Sequence, residues 1–122
     1  MEEVRPQSKM EGSPKFEYEI TRNGDAIFVA GKNKEELLMV ALEIYKKLNH
    51  SEIVRASDKQ DLLNDEELRP GGVFGIRIRK EFRKGKDPDS YYILVDNRNA
   101  QGQKEFQDEL KNAVIESINK NV

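Results

Sequence analysis

The sequence predicts an α+β domain whose elements follow the order strand-strand-helix, strand-strand-helix. Three observations carry this prediction. Apolar and polar residues alternate in four short segments, turn-forming residues separate the segments of each pair, and two longer segments place apolar residues at helical spacing. Because two hairpins and two amphipathic helices must bury their apolar sides together, we expect one four-stranded, mostly antiparallel sheet with both long helices on one face.

Length and composition favour one domain. The chain has 122 residues, of which 36% are charged, and its net charge is -2. Residues 1–14 are polar and lack periodicity, so we expect a flexible N-terminal tail followed by a single α+β domain over residues 15–122. The chain contains no cysteine, which excludes disulfides, thiolate metal sites and cysteine nucleophiles. The acidic start lacks an apolar run, so we expect a cytoplasmic protein that does not enter a membrane.

The first hairpin is predicted by alternation and by its turn. Apolar and charged residues alternate over residues 16–20, and Asn23-Gly24 follows. Asn-Gly is the strongest two-residue hairpin signal because both positions tolerate positive φ. This turn fixes the strand register and places the apolar residues of both strands on one face. The predicted partners are Ile20 with Ile27 and Tyr18 with Val29.

Helices are predicted in three places. Asn33 and Glu36 have the spacing of a capping box, and a helix with apolar residues at helical intervals runs over residues 37–48. A short helix is expected over 57–68, and a final long one over about 102–119. Between the first two helices, Ile53 and Val54 are expected to be buried.

The second hairpin contains the most unusual feature of the chain. Apolar residues alternate over residues 74–79 and again over 91–95, with turn-forming residues at 84–89. The stretch 76–86 carries six lysines and arginines against one glutamate, whereas 58–67 carries five carboxylates against one lysine. Charge segregated in this way produces a local field that attracts partners of opposite charge.

The basic hairpin is the candidate binding site. Two arginines share one face of its first strand, further cations lie near its tip, and a tyrosine of the second strand is available to stack on a base. Such residues suit an anionic ligand, a nucleotide or a nucleic acid. The competing interpretation is that the cations only solubilise an edge strand or pair with the acidic stretch. The predicted ligand-binding residues are Arg77, Arg79, Arg83, Lys84, Lys86 and Tyr92.

The sheet face opposite the helices is the second candidate surface. Phe28, Tyr92 and Leu94 fall on that face by strand alternation. Several apolar residues on an uncovered sheet form a patch, and such patches mark interfaces. We therefore expect a protein partner or a homo-oligomer to bind there.

These features favour a small non-enzymatic binding or regulatory module that uses the exposed sheet face and the basic hairpin. The first alternative is a protein that binds nucleic acid or a nucleotide through the basic hairpin. The second is a small enzyme, which would need His50 and a carboxylate such as Asp96 to meet in a cleft. The carboxylates lack the spacing of a calcium loop, and we predict no metal site and no cofactor.

A final expectation concerns the two charged stretches. Exposed ion pairs contribute only about 0–1 kcal/mol each, too little to hold two segments together without packing. We therefore expect the acidic stretch 58–67 to lie apart from the basic hairpin within one subunit, and any contact between them to be made between subunits.

Overall fold

The computed structural model describes residues 15–21, 26–69, 74–96 and 104–120. Its element order confirms the predicted α+β class. The predicted tail at 1–14, the Asn23-Gly24 turn and the end of the chain beyond residue 120 lie outside the described residues. The strands are β1 (Glu17–Ile20), β2 (Ala26–Gly31), β3 (Gly75–Lys80) and β4 (Tyr91–Asp96), and the helices are α1 (Lys34–Asn49), α2 (Ala56–Leu63) and α3 (Lys104–Lys120).

The four strands form one antiparallel sheet in the order β1-β2-β4-β3. The register of the first hairpin is the predicted one, with Tyr18 opposite Val29 and Ile20 opposite Ile27. We call the side that meets the helices the inner face and the opposite side the outer face. Residues of the three strands β2, β3 and β4 fill the inner face and are buried: Ile27, Val29, Ile76, Ile78, Ile93 and Val95.

Both long helices lie on the inner face, as predicted. The α1 helix packs on β2, β3 and β4, and α3 packs against α1. Asn33 caps α1 by accepting a hydrogen bond from the backbone N–H of Glu36, 3.0 Å away, which confirms Asn33 as the predicted cap. The Glu36 carboxylate accepts a hydrogen bond from Lys15 at 3.1 Å. His50 ends α1 in the left-handed conformation, and its N–H bonds back to the carbonyl of Lys46. The turn chemistry of the sequence therefore sets both ends of α1.

No helix in the described part of the chain is long and apolar enough to cross a membrane.

The segment between α1 and β3 differs from the prediction. The short helix ends at Leu63 and does not continue to Leu68. Asp65 adopts a left-handed backbone with φ 64°, and Leu68 instead exchanges two backbone hydrogen bonds of 2.9 Å with Ile76 on β3. Pairing with a strand edge thus replaces the last helical turn. Ile53 is 78% exposed, so the expectation that it is buried is wrong.

Candidate binding surface on the outer sheet face

The outer face carries three bands of side chains. Strand alternation places Glu17 and Glu19 on β1, at one edge of the sheet, and Arg77 and Arg79 on β3, at the other. The strands between them, β2 and β4, contribute an apolar centre. The main members of that centre are Phe28, Tyr92 and Leu94. The outer face therefore runs from an acidic edge through an apolar middle to a basic edge.

The β3–β4 loop, residues 81–90, folds back over this centre. The Cζ atom of Arg83 lies 4.6 Å from the ring centroid of Phe28 and 4.7 Å from that of Tyr92. Guanidinium groups over aromatic faces at such distances make cation–π contacts. Tyr92 is 2% exposed as a result, so the expectation that it belongs to an open patch is wrong. Arg83 lies against the sheet, away from the tip of the hairpin.

Glu81 holds Arg83 in place. Its side chain is fully buried and accepts hydrogen bonds from Arg83 Nε at 2.8 Å and Nη2 at 2.7 Å. The backbone N–H groups of Phe82 and Arg83 also donate to it, at 3.2 Å and 3.1 Å. The side-chain hydrogen bonds from Arg83 lower the pKa of the Glu81 carboxyl, against the opposing effect of burial. A charge-assisted, two-pronged pair of this kind fixes the start of the loop.

Phe82 is presented to solvent beside this pair. It is 71% exposed, and its ring centroid lies 6.1 Å from that of Tyr92. The guanidinium of Arg79 lies 5.6 Å from the Phe82 ring. The exposed Phe82 ring therefore lies between Arg79 and the apolar centre of the outer face.

The acidic stretch 58–67 contacts the basic hairpin within the same subunit. Arg77 Nε donates to the Asp65 carboxylate at 3.0 Å and to the Asp65 backbone carbonyl at 3.1 Å. The same carboxylate lies 3.8 Å from Arg79 Nε. The expectation that the two charged stretches lie apart within one subunit is wrong. The left-handed turn at Asp65 and the Leu68–Ile76 bridge bring them together along the edge of β3.

The two predicted lysines differ from each other. Lys86 pairs with Glu19 at 3.0 Å, and Arg83 Nη1 shares that carboxylate at 3.3 Å. Lys84 is exposed and makes no ion pair with any residue that the structure describes. Of the five predicted cations, only Lys84 therefore lacks a carboxylate partner among residues 15–21, 26–69, 74–96 and 104–120.

A cleft of about 520 Å³ opens between the β3–β4 loop, the start of β1 and the N-terminus of α1. Its rim carries cations paired across elements, including Lys15 with Glu36 at 3.1 Å and Lys32 with Asp87 at 3.5 Å. The volume falls within the range of small-molecule sites. Because the lining combines three lysines with four carboxylates, the cleft carries no excess of positive charge that would select a phosphate.

The residues considered for acid–base chemistry have separate partners. His50 is largely exposed at the end of α1, and its Nε2 lies 3.0 Å from Glu109 on α3. Asp96 lies 3.7 Å from Arg69 Nη2. Within the described ranges, no group of three or more histidines and carboxylates is arranged to hold a metal ion.

Sequence reasoning missed the most prominent residues of this surface, Glu81 and Phe82. A lone carboxylate inside a run of cations indicates a local ion pair, since several positive side chains lie within reach of it. An aromatic residue inside a polar loop is the corresponding signal for Phe82. Both signals lie in the stretch 76–86.

The paired carboxylates predict a loss of stability in acid. Hydrogen bonds from Arg83 lower the pKa of Glu81 from its ordinary 4.5, and those from Arg55 lower the pKa of Asp58 from 3.8. A lowered native pKa contributes stability in full above the unfolded value, and that contribution disappears as pH falls through the native value. The free energy of unfolding in urea should change little between about pH 7 and 5 and fall towards about pH 3.

Glu81→Gln is the control for this pH dependence. We expect the variant to be less stable than the wild type at neutral pH, and its further loss of stability between about pH 5 and 3 should be smaller than that of the wild type. An equal acid loss in both proteins would show that Glu81 is not one of the groups responsible.

Comparison with known proteins gives no relative: no family model, no curated protein and no solved structure matches this chain. The class that the structure defines is therefore an α+β domain with both long helices on one face of an antiparallel sheet and a charged loop, residues 81–90, whose Arg83 lies over the other face.

Proposed function

We propose that this chain is a small non-enzymatic binding module that docks a protein partner on the outer sheet face. The observation that carries the proposal is the exposure of Phe82 beside the buried Glu81–Arg83 pair. Its neighbours are Arg79, held near Asp65, and Arg83, held by Glu81. Aromatic residues and arginine are enriched at the centres of interfaces, and a few such residues carry most of the binding energy.

The residue types of this surface support a protein partner. Aromatic residues and arginine are enriched at the centres of protein interfaces, whereas lysine and glutamate are depleted there. Ordering a surface only on binding costs free energy for each immobilised side chain. Because hydrogen bonds already hold Arg77 and Arg83 on the outer face, a partner that docks there meets a partly preorganised surface.

The same pairs argue against the nucleic-acid alternative. Affinity for a polyanion depends on cations that release counterions from phosphates. Four of the five predicted cations have a carboxylate within 4 Å, so a phosphate must compete with a carboxylate already in place. Arg77, Arg79, Arg83, Lys84 and Lys86 remain the residues to test for that alternative.

A photo-crosslinking amino acid at position 82 tests the protein proposal directly. Position 53 is the matched control, because Ile53 is 78% exposed and lies away from the outer face, between α1 and α2. We expect a partner captured from position 82 and not from position 53. Phe82→Ala should then weaken binding of the purified partner by about tenfold or more. Capture of the same protein at both positions, or unchanged affinity in Phe82→Ala, would contradict the proposal.

Fluorescence anisotropy with labelled single-stranded DNA and RNA tests the alternative. At about 50 mM salt we expect no saturable binding by the wild type. Binding that weakens linearly on a log–log salt plot and disappears in Arg77→Glu/Arg79→Glu would establish the alternative in place of a protein partner. The cytoplasmic location is likewise a prediction, which fractionation of the source cells would test.

A further inference from the structure

The exposed edge of β1 is a second surface with its own chemistry. β1 is the end strand of the sheet. Within the described ranges, no other segment pairs with the edge of β1 that points away from β2. Tyr18 and Ile20 are 45% and 41% exposed, although their partners on β2 are buried. The reason is that α1 packs on the other three strands, so helix packing protects β2, β3 and β4 more than β1.

The hydrogen-bonding pattern between β1 and β2 shows which backbone groups of β1 point away from the sheet. Thr21 N–H donates to the carbonyl of Ala26 at 3.0 Å, so these two residues form a hydrogen-bonded pair. Such pairs alternate along an antiparallel ladder, and Glu19 and Glu17 therefore also direct their backbone towards β2. The N–H and C=O groups of Tyr18 and Ile20 consequently point away from the sheet. These are the groups with which an added strand would pair.

Side-chain chemistry specifies the strand that fits. Residues of the added strand that lie opposite Tyr18 and Ile20 would be on the inner face, next to these half-exposed apolar side chains. Residues opposite Glu17 and Glu19 would lie on the outer side, next to carboxylates. Glu19 is already paired with Lys86 and Arg83, so a basic side chain placed opposite Glu19 would compete with them, and Glu17 is the main acidic partner for the added strand. Glu17 is exposed and has no ion pair within the described part of the chain.

We propose that the β1 edge binds, by strand addition, an extended peptide segment in which apolar and basic residues alternate. Four consecutive residues in the order apolar-basic-apolar-basic match the antiparallel register, running from the position opposite Ile20 to the position opposite Glu17. Main-chain hydrogen bonds supply affinity in such complexes, and alternate side chains supply specificity. The β1 edge is joined to the surface around Phe82 by the Glu19–Arg83 ion pair at 3.3 Å. Its test does not depend on that proposal, because the signals measured are those of the backbone amides of Tyr18 and Ile20.

The probe is the peptide acetyl-Thr-Val-Lys-Val-Arg-Thr-amide, titrated into the full chain labelled with ¹⁵N. We expect saturable shifts of the Tyr18 and Ile20 amide signals. The control peptide acetyl-Thr-Val-Val-Lys-Arg-Thr-amide has the same composition without alternation and should bind more weakly by about tenfold. Equal binding of both peptides, or no saturable shift with the first, would overturn the proposal.

Tyr18→Pro removes an outward N–H that takes no part in the β1–β2 ladder, so the variant should keep its fold and lose about tenfold or more in peptide affinity. Glu17→Lys serves as a second variant, with the same direction of effect through charge repulsion. Phe82→Ala should leave peptide binding unchanged. A concentration-dependent dimer that Tyr18→Pro abolishes would show that a second copy occupies the edge, and would overturn the peptide assignment.

Discussion

Replacement of Arg83 by alanine is expected to destabilise the fold by about 3 kcal/mol or more. The Glu81 carboxylate is fully buried and would lose both of its side-chain hydrogen bonds. The cost of breaking a buried pair is mostly the cost of leaving one charge buried without a partner. The variant also removes the guanidinium between Phe28 and Tyr92, which exposes both rings. Urea unfolding followed by circular dichroism measures the change.

The double variant Glu81→Ala/Arg83→Ala is the control that separates the cost of an unpaired buried charge from the loss of the Arg83 side chain itself. Because the double variant leaves no unpaired charge, it should be more stable than Arg83→Ala alone, and the cycle should show strong coupling. Arg83→Lys keeps the charge but loses the planar two-pronged contact, so its stability should lie between those of Arg83→Ala and the wild type. If the two single changes simply add, Arg83 and Glu81 do not act as a pair.

The features that sequence predicted correctly depend on neighbours along the chain. Asn33 and Glu36 are three residues apart, and the cap they predict forms. In the first hairpin, alternation and turn type fixed the partners of Tyr18 and Ile20. In each case the interaction closes a short loop, so local preferences decide the outcome.

The features that sequence missed depend on where segments travel in space. Asp65 contacts Arg77, twelve positions further along the chain. The left-handed backbone of Asp65 turns the chain after α2, and the bridge between Leu68 and Ile76 holds the following residues beside β3. Charge counting treats the two stretches as separate surfaces. Once backbone pairing holds them side by side, ion pairs form without having to supply the cohesion themselves.

Arg83 illustrates the same point for the candidate site. A run of cations near a hairpin tip predicts side chains that extend into solvent. Glu81 and the aromatic centre instead draw Arg83 back onto the sheet. The sequence identifies Arg83 as one of a run of cations, and only the fold shows that its guanidinium is already paired with Glu81. The binding surface is consequently defined by Phe82, an aromatic residue, and less by the cations around it.

Phe74→Ala is expected to have an effect of similar size, about 3–5 kcal/mol, through loss of packing. Phe74 is 2% exposed and precedes β3. Its ring centroid lies 6.4 Å from that of Tyr45 on α1 and 6.3 Å from that of Phe106 on α3. One side chain thus connects the sheet to both long helices. Its truncation leaves a cavity where the three elements meet, and a cavity adds to the lost transfer free energy.

Phe82→Ala makes the same chemical change on the outer face and provides the comparison. Because the Phe82 ring is 71% exposed, the substitution should alter the free energy of unfolding by only about 0.5 kcal/mol. Both variants are measured by urea unfolding under one set of conditions, and the slopes are compared to verify that the transition stays two-state. A large loss in Phe82→Ala would mean that this ring stabilises the fold, which would remove the reason for treating it as a docking residue. A small loss there and a large one in Phe74→Ala would show that the Phe82 ring contributes little to the fold and is available to a partner, as the docking proposal requires.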